Sequence, residues 1–222
     1  MKKYELTSET KVFNDVELHR IKSLKSFGNI KKGELGGWIE SEKNLSQYVD
    51  AWVYDNAIVC ENARVDGHAM VYGNARVDGN ATVGDYAMVC GNATIGENAR
   101  VDGHAIVGGN ATVCGNATVG DYAMVCGNAT IGENATIYWD ATVCGNATVR
   151  ETADFIVFKN RWSSGRHFTW TRSNNKWKVG CFYGSGEELI AKAYEDSEKS
   201  GREYERVVNY VESILKEENN NK

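Results

Sequence analysis

The chain has no proline and no Cys-x-x-Cys pair, and only four histidines among its 222 residues. Without proline, its tight corners must come from residues that tolerate positive φ, and 23 glycines are present to supply them. Without Cys-x-x-Cys, the six cysteines at 60, 90, 114, 126, 144 and 181 lack zinc-ligand spacing, so no metal is expected. A reducing compartment would keep them as thiols. Long apolar runs are also missing. MKKYELTSETKV is not a signal peptide, and no later stretch is long enough to span a bilayer. The expected location is the cytoplasm, with no membrane partner. A net charge of −5 gives no general reason to expect nucleic acid and argues against double-stranded DNA as a partner.

What is abundant is repetition. ATVGDYAMVCGNATIGEN at 81–98 recurs letter for letter at 117–134. From Ala51 to Thr152 the chain divides into seventeen six-residue words of the form Ala-x-(Val/Ile)-x-x-x. Alternation within a word sends Ala and Val/Ile to one face and the residue between them to the other. The frequent closing Gly-Asn suits a corner that needs positive φ. The sixth letter separates three kinds of corner. One series reads Asn56, Asn74, Asn92, Asn110, Asn128, Asn146. A second reads Asn62, Asn80, Asn98, Asn116, Asn134, Thr152, and the third His68, Tyr86, His104, Tyr122, Asp140. Three corners predict three sides and eighteen residues per coil, as a parallel β-helix. The duplication, offset by 36 residues, is then two full coils copied with every stack preserved.

The words place an aliphatic residue four before a small one, as in Val65…Ala69, Val83…Ala87 and Ile95…Ala99. In this the chain resembles the hexapeptide-repeat, left-handed β-helix family. The resemblance implies left-handed coiling, a homotrimer, and kinship with acyltransferases that use a histidine at a subunit interface. The expected fold is mainly β: a three-sided left-handed parallel β-helix with an N-terminal β cap and a small C-terminal α+β appendage. Residues 1–50 read as hairpin and cap, 51–152 as the β-helix, and 153–222 as a hairpin plus two helices. KVFNDVELHRIKSL should turn at Asn14-Asp15, with Trp38 as a lid on the core. A second hairpin should turn near Asn174-Asn175. Ser185 with Glu188 makes a capping box for a helix through Tyr194. Gly201 should interrupt, before a helix over Arg202–Glu218.

Three surfaces suggest function. The outward letters Trp52, Met70, Met88, Ile106 and Met124 make one apolar side wall, read as an oligomer interface unless the C-terminal helices cover it. The corner before that wall carries His68 and His104. In an acyltransferase either imidazole could be the general base, with acetyl-CoA as cofactor. The absence of any inserted loop, and the regular alternation with tyrosine, favour a stacked structural ladder instead. Cys126 and Cys144 lie one coil apart and read as small packing residues. The third surface is basic and aromatic: Lys159, Arg161, Trp162, Arg166, Trp170, Arg172, Lys176, Trp177 and Lys178. That mixture suits an anionic, stackable ligand such as a nucleotide, a CoA moiety or single-stranded nucleic acid. The alternative is a hairpin packed by its tryptophans with the cations on its wet face.

The segments LHRIKSLKSFGNIKKGELGGWIES and FKNRWSSGRHFTWTRSNNKWKVGCFYGSGEELI resemble a narrower group, hexapeptide-repeat proteins of phages and prophages. Members are catalogued as transferases on fold alone. The expected function is a non-enzymatic phage-type accessory protein in the host cytoplasm. It would be a homotrimeric β-helix that needs no cofactor and binds a host protein or an anionic, nucleotide-like small molecule, with blunting a host defence as one use. The alternative is an acetyl-CoA-dependent acyltransferase with an interface histidine.

Overall fold

A computed structural model describes residues 2–220; the outermost residues 1 and 221–222 of the two terminal segments lie outside it. The chain forms two compact units, one ending at Asp154 and one beginning at Phe155.

In the first unit each six-residue word contributes one two-residue strand, from Trp52–Val53 to Thr148–Val149. Strands eighteen residues apart pair in parallel and in register, as Met88 does with Met70 and with Ile106. The result is a three-sided β-solenoid whose walls are sheets of six, five and six word-derived strands, the last extended to nine by the N-terminal segment. Every Ala and Val/Ile letter faces inward at 0–1% exposure. Burying each Val or Ile stabilises the coil by a gross ~1.5–3 kcal/mol. Alanine recurs at the first letter of each word, next to the corner, where the triangle is narrowest.

Backbone hydrogen bonds run from coil to coil. In one word, Trp52, Tyr54 and Asn56 donate to Ala69, Val71 and Gly73 at 3.0, 2.8 and 3.1 Å. The fifth-letter amide is left over, and acidic side chains of the preceding coil satisfy it at several corners. Asp55 accepts from Gly73 at 3.1 Å, Glu61 from Gly79 at 2.8 Å and Asp85 from Gly103 at 3.2 Å. These acids themselves sit at positive φ. On two corners acid and glycine alternate: Gly67, Asp85, Gly103, Asp121 on one, Glu61, Gly79, Glu97, Gly115, Glu133 on the other. A Cβ on Gly103 would lie 2.7 Å from the Asp121 nitrogen. On these two corners the pattern recurs every two coils, as the 36-residue copy does, while the third corner carries glycine in every coil from Gly73 to Gly145.

The N-terminal hairpin, β1 (Tyr4–Phe13) and β2 (Val16–Ser23), turns at Asn14 and Asp15, both at positive φ. Strand β3 (Leu35–Ile39) pairs antiparallel with β2 and parallel with the Ile58–Val59 strand, which joins hairpin to solenoid. Trp38 is not the lid on the core. It points outward into a satellite cluster with Leu18 and Cys60, under the Lys11 ammonium 4.4 Å from its ring. At Gly36 the backbone approaches so closely that a Cβ would fall 2.6 Å from the Ile21 side chain and the Val53 carbonyl. Lys3, 1% exposed, reaches the Ala51 carbonyl at 2.7 Å and the Val49 carbonyl at 3.2 Å.

The second unit is a four-stranded antiparallel sheet, Phe155–Lys159, His167–Thr171, Lys176–Val179 and Phe182–Gly184, followed by two helices. Asn175 provides the left-handed turn residue of the central hairpin. Helix α1 (Gly186–Asp196) opens on the Ser185/Glu188 capping box. Helix α2 (Glu198–Asn220) runs through Gly201 without a break. Gly201 is there for contact: a Cβ would lie 2.3 Å from the Tyr194 ring.

Candidate functional site

The sixth-letter column of the third corner builds a ring stack. His68, Tyr86, His104 and Tyr122 lie face to face with centroids 4.7, 4.9 and 4.9 Å apart and interplanar angles of 4°, 8° and 3°. The strand spacing of a parallel sheet sets that distance. At the start of the column the Asp50 carboxylate lies 3.8 Å from His68 Nδ1. Both faces of His104 are covered, by Tyr86 and Tyr122, whereas His68 heads the stack and has a ring on one face only. The other two corners carry asparagine ladders, in which each side-chain amide donates to the next, as Asn92 to Asn110 at 2.9 Å and Asn98 to Asn116 at 3.2 Å.

Immediately after this corner comes the apolar wall. Met70, Met88 and Ile106 are half-buried and Met124 is 37% exposed. Trp52 does not belong to that exposed run. Tyr4 and Phe27 pack edge-on against it at 6.1 and 5.4 Å, and it is fully buried under the N-terminal cap. Beyond the methionines the fourth-letter column reads Tyr54, Tyr72, Cys90, Gly108, Cys126, Cys144. Cys126 and Cys144 are joined by a disulfide across a Cα–Cα distance of 4.7 Å, so they are more than packing residues. Burial raises the Tyr72 phenol, with Cys90 beside it adding to the shift. Elsewhere burial pushes the Cys60 thiol up to about 12. Among the described residues no three His, Cys, Asp or Glu side chains converge as a metal site.

The basic-aromatic surface of the second unit is taken apart by strand alternation. Trp170 pairs with Trp177 across neighbouring strands, and both turn to the helix-covered face at 1% and 2% exposure. They belong to a core with Phe168, Leu189 and Val208, so neither can stack on a ligand. Trp162 is half-buried against Tyr204 and Phe168, at 5.3 and 6.1 Å. Arg172 is bound to the Glu218 carboxylate by two hydrogen bonds of 2.5 and 3.0 Å. Lys176 and Lys178 lie on the opposite sheet face from the tryptophans. Lys159, Arg161 and Arg166 remain exposed. The nine predicted residues thus do not form one surface. What the sequence reading missed is the buried Asn160 next to them, which organises the following loop.

The family described as the YdcK beta solenoid repeat matches residues 69–85. The fold, a β-solenoid with eighteen residues between stacked strands, is consistent with that match. The chain is similar to a protein of Escherichia coli (strain K12) described as "Uncharacterized acetyltransferase YdcK", with 34% identity over 77 residues. That alignment covers 31% of this chain and 24% of the relative, so the solenoid chain spans about a quarter of it. No described helix is long and apolar enough to cross a membrane.

Proposed function

We propose that the chain is a non-enzymatic binding protein that self-associates, as a trimer, through its methionine wall. The observation that carries this reading is the run Met70, Met88, Ile106 and Met124 on one side of an uninterrupted solenoid. Monomeric soluble proteins seldom leave a flat apolar stripe of this kind facing water. Unbranched methionines adapt to a second copy of the same wall. Beyond itself, the assembly would hold a host protein or a small anion, and the exposed cations of the second unit support the latter. Replacing Met88 and Met124 together by Lys should yield single chains with unchanged circular dichroism. An assembly that survives this change would remove the methionine wall as the interface.

A second reading is acetyl-CoA-dependent acyl transfer with His68 or His104 as general base, supported by the acetyltransferase name of the similar protein. Against it stand the stacking of both imidazoles, with His104 covered on both faces, and the absence of a loop inserted between the words. Acetyl-CoA turnover lost in His104→Ala, with the fold intact, would favour this second reading.

A further inference from the structure

The second unit contains a cavity of about 260 Å³, bounded by the 160–166 loop, the turn at Cys181 and the two helices. Its loop is built, not loose. Asn160, 1% exposed, donates its backbone N–H to the Arg166 carbonyl at 2.8 Å and so closes the loop at its base. Its side-chain oxygen accepts from the Ser163 N–H at 2.9 Å and the Trp162 N–H at 3.2 Å. Its side-chain nitrogen donates to the Tyr204 hydroxyl at 3.2 Å and to Ser163 Oγ at 2.9 Å, tying loop to helix α2. This arrangement presents Ser163, Ser164 and Arg166 to the cavity from one side. Helix α1 presents Lys192 and Asp196 from the other.

Two features set the chemistry. Among the described residues neither Arg166 nor Lys192 has a carboxylate within salt-bridge distance, unlike Arg172 with Glu218. Ser163 Oγ gives its proton to Asn160 Oδ1 at 3.1 Å, so the donor set is two unneutralised cations with the Ser164 hydroxyl beside them, which suits a phosphate group that needs charge and hydrogen bonds together. Asp196 accepts only, so the rest of the ligand must donate to it, as hydroxyl groups do. Size narrows the class further. The cavity lies just under the ~300–1,000 Å³ of drug-sized pockets, so it suits a sugar-sized molecule.

We propose that this cavity binds a small phosphate monoester bearing hydroxyl groups, with Arg166 and Lys192 on the phosphate and Asp196 on the hydroxyls. The proposal rests on the binding-protein reading and names its ligand class. It is tested by calorimetric titration of the full chain with ribose 5-phosphate, inorganic phosphate and ribose. The expected result is one ribose 5-phosphate per chain, weaker phosphate, and no ribose. The double variant Arg166→Gln/Lys192→Gln should weaken ribose 5-phosphate by at least about tenfold, the worth of one charge-assisted hydrogen bond. Both side chains are exposed, so the variant keeps the fold, which its helical circular dichroism checks. Asp196→Asn should weaken ribose 5-phosphate and leave phosphate unchanged or tighter. No binding to the wild-type chain, or binding that the double variant leaves intact, overturns the site; tightening of both ligands by Asp196→Asn overturns the hydroxyl assignment. A monomeric chain that still binds ribose 5-phosphate would refute the methionine-wall interface and leave the cavity standing.

Discussion

Gly103→Ala separates the corner-packing argument from ordinary glycine strain. Gly103 has φ +63° and its N–H donates to the Asp85 carboxylate at 3.2 Å. An added methyl would meet the Asp121 nitrogen at 2.7 Å and its Cα and carbonyl oxygen at 2.9 Å, all backbone of the next coil. Left-handed backbone costs a non-glycine residue roughly 1–2 kcal/mol. Overpacking against atoms that cannot rotate away adds roughly 1–3 kcal/mol. Gly33→Ala is the control within the same unit, because Gly33 has φ +87° and nothing within 4 Å of the added methyl. It should cost only the backbone share, about 1–2 kcal/mol. With a urea dependence of ~1–3 kcal/mol per molar, Gly103→Ala should lower the midpoint by about 1.5 to 4 times as much as Gly33→Ala. The midpoint is read by hydrogen exchange of solenoid peptides, since repeat arrays can unfold in parts. Equal losses in the two variants would refute the claim that corner glycines are required by the coil stacked beneath them.

Two further outcomes follow from the same structure. Burial lowers the Lys3 ammonium from 10.5 to about 8. The folded chain then binds this proton less tightly than the unfolded chain, so stability rises between about pH 8 and 10.5. From about pH 7.5 to 9.5 the first unit should gain about 2 kcal/mol, the stability rising by at most ~1.4 kcal/mol for each pH step of one. Lys3→Met should flatten that rise in thermal melts. The buried Tyr4 phenol, shifted upward, opposes the gain only above its ordinary value of 10.0. Separately, the Cys126–Cys144 bridge closes a loop of 18 residues. Cys126→Ser should loosen the last coils by about 3 kcal/mol, seen as faster exchange at 124–149 under non-reducing conditions with no change near the N-terminal cap.

The solenoid was legible because two letters in every six are dictated by the inward face, and because the corner letters sort into three columns. Alternation also placed the hairpin turns at Asn14-Asp15 and Asn174-Asn175, where the residues themselves favour left-handed backbone. What escaped were contacts between distant segments. Trp52 has the spacing of an exposed wall residue, but the N-terminal segment returns to cover it. Gly201 has the composition of a helix break, yet it is the place where the Tyr194 ring lies against α2. Trp170 and Trp177 stand among cations in the sequence, and only the strand register shows that the cations lie on the other face. Asn160 gave no signal, since one asparagine in a polar loop cannot be told from any other.

The central claim is self-association without acyl transfer. Native mass spectrometry of the purified chain, with and without acetyl-CoA, tests it most directly. The account predicts a three-chain mass that acquires no CoA-sized adduct, and single chains for Met88→Lys/Met124→Lys. A wild-type chain that travels alone, or an assembly that takes up one CoA per chain, would contradict it.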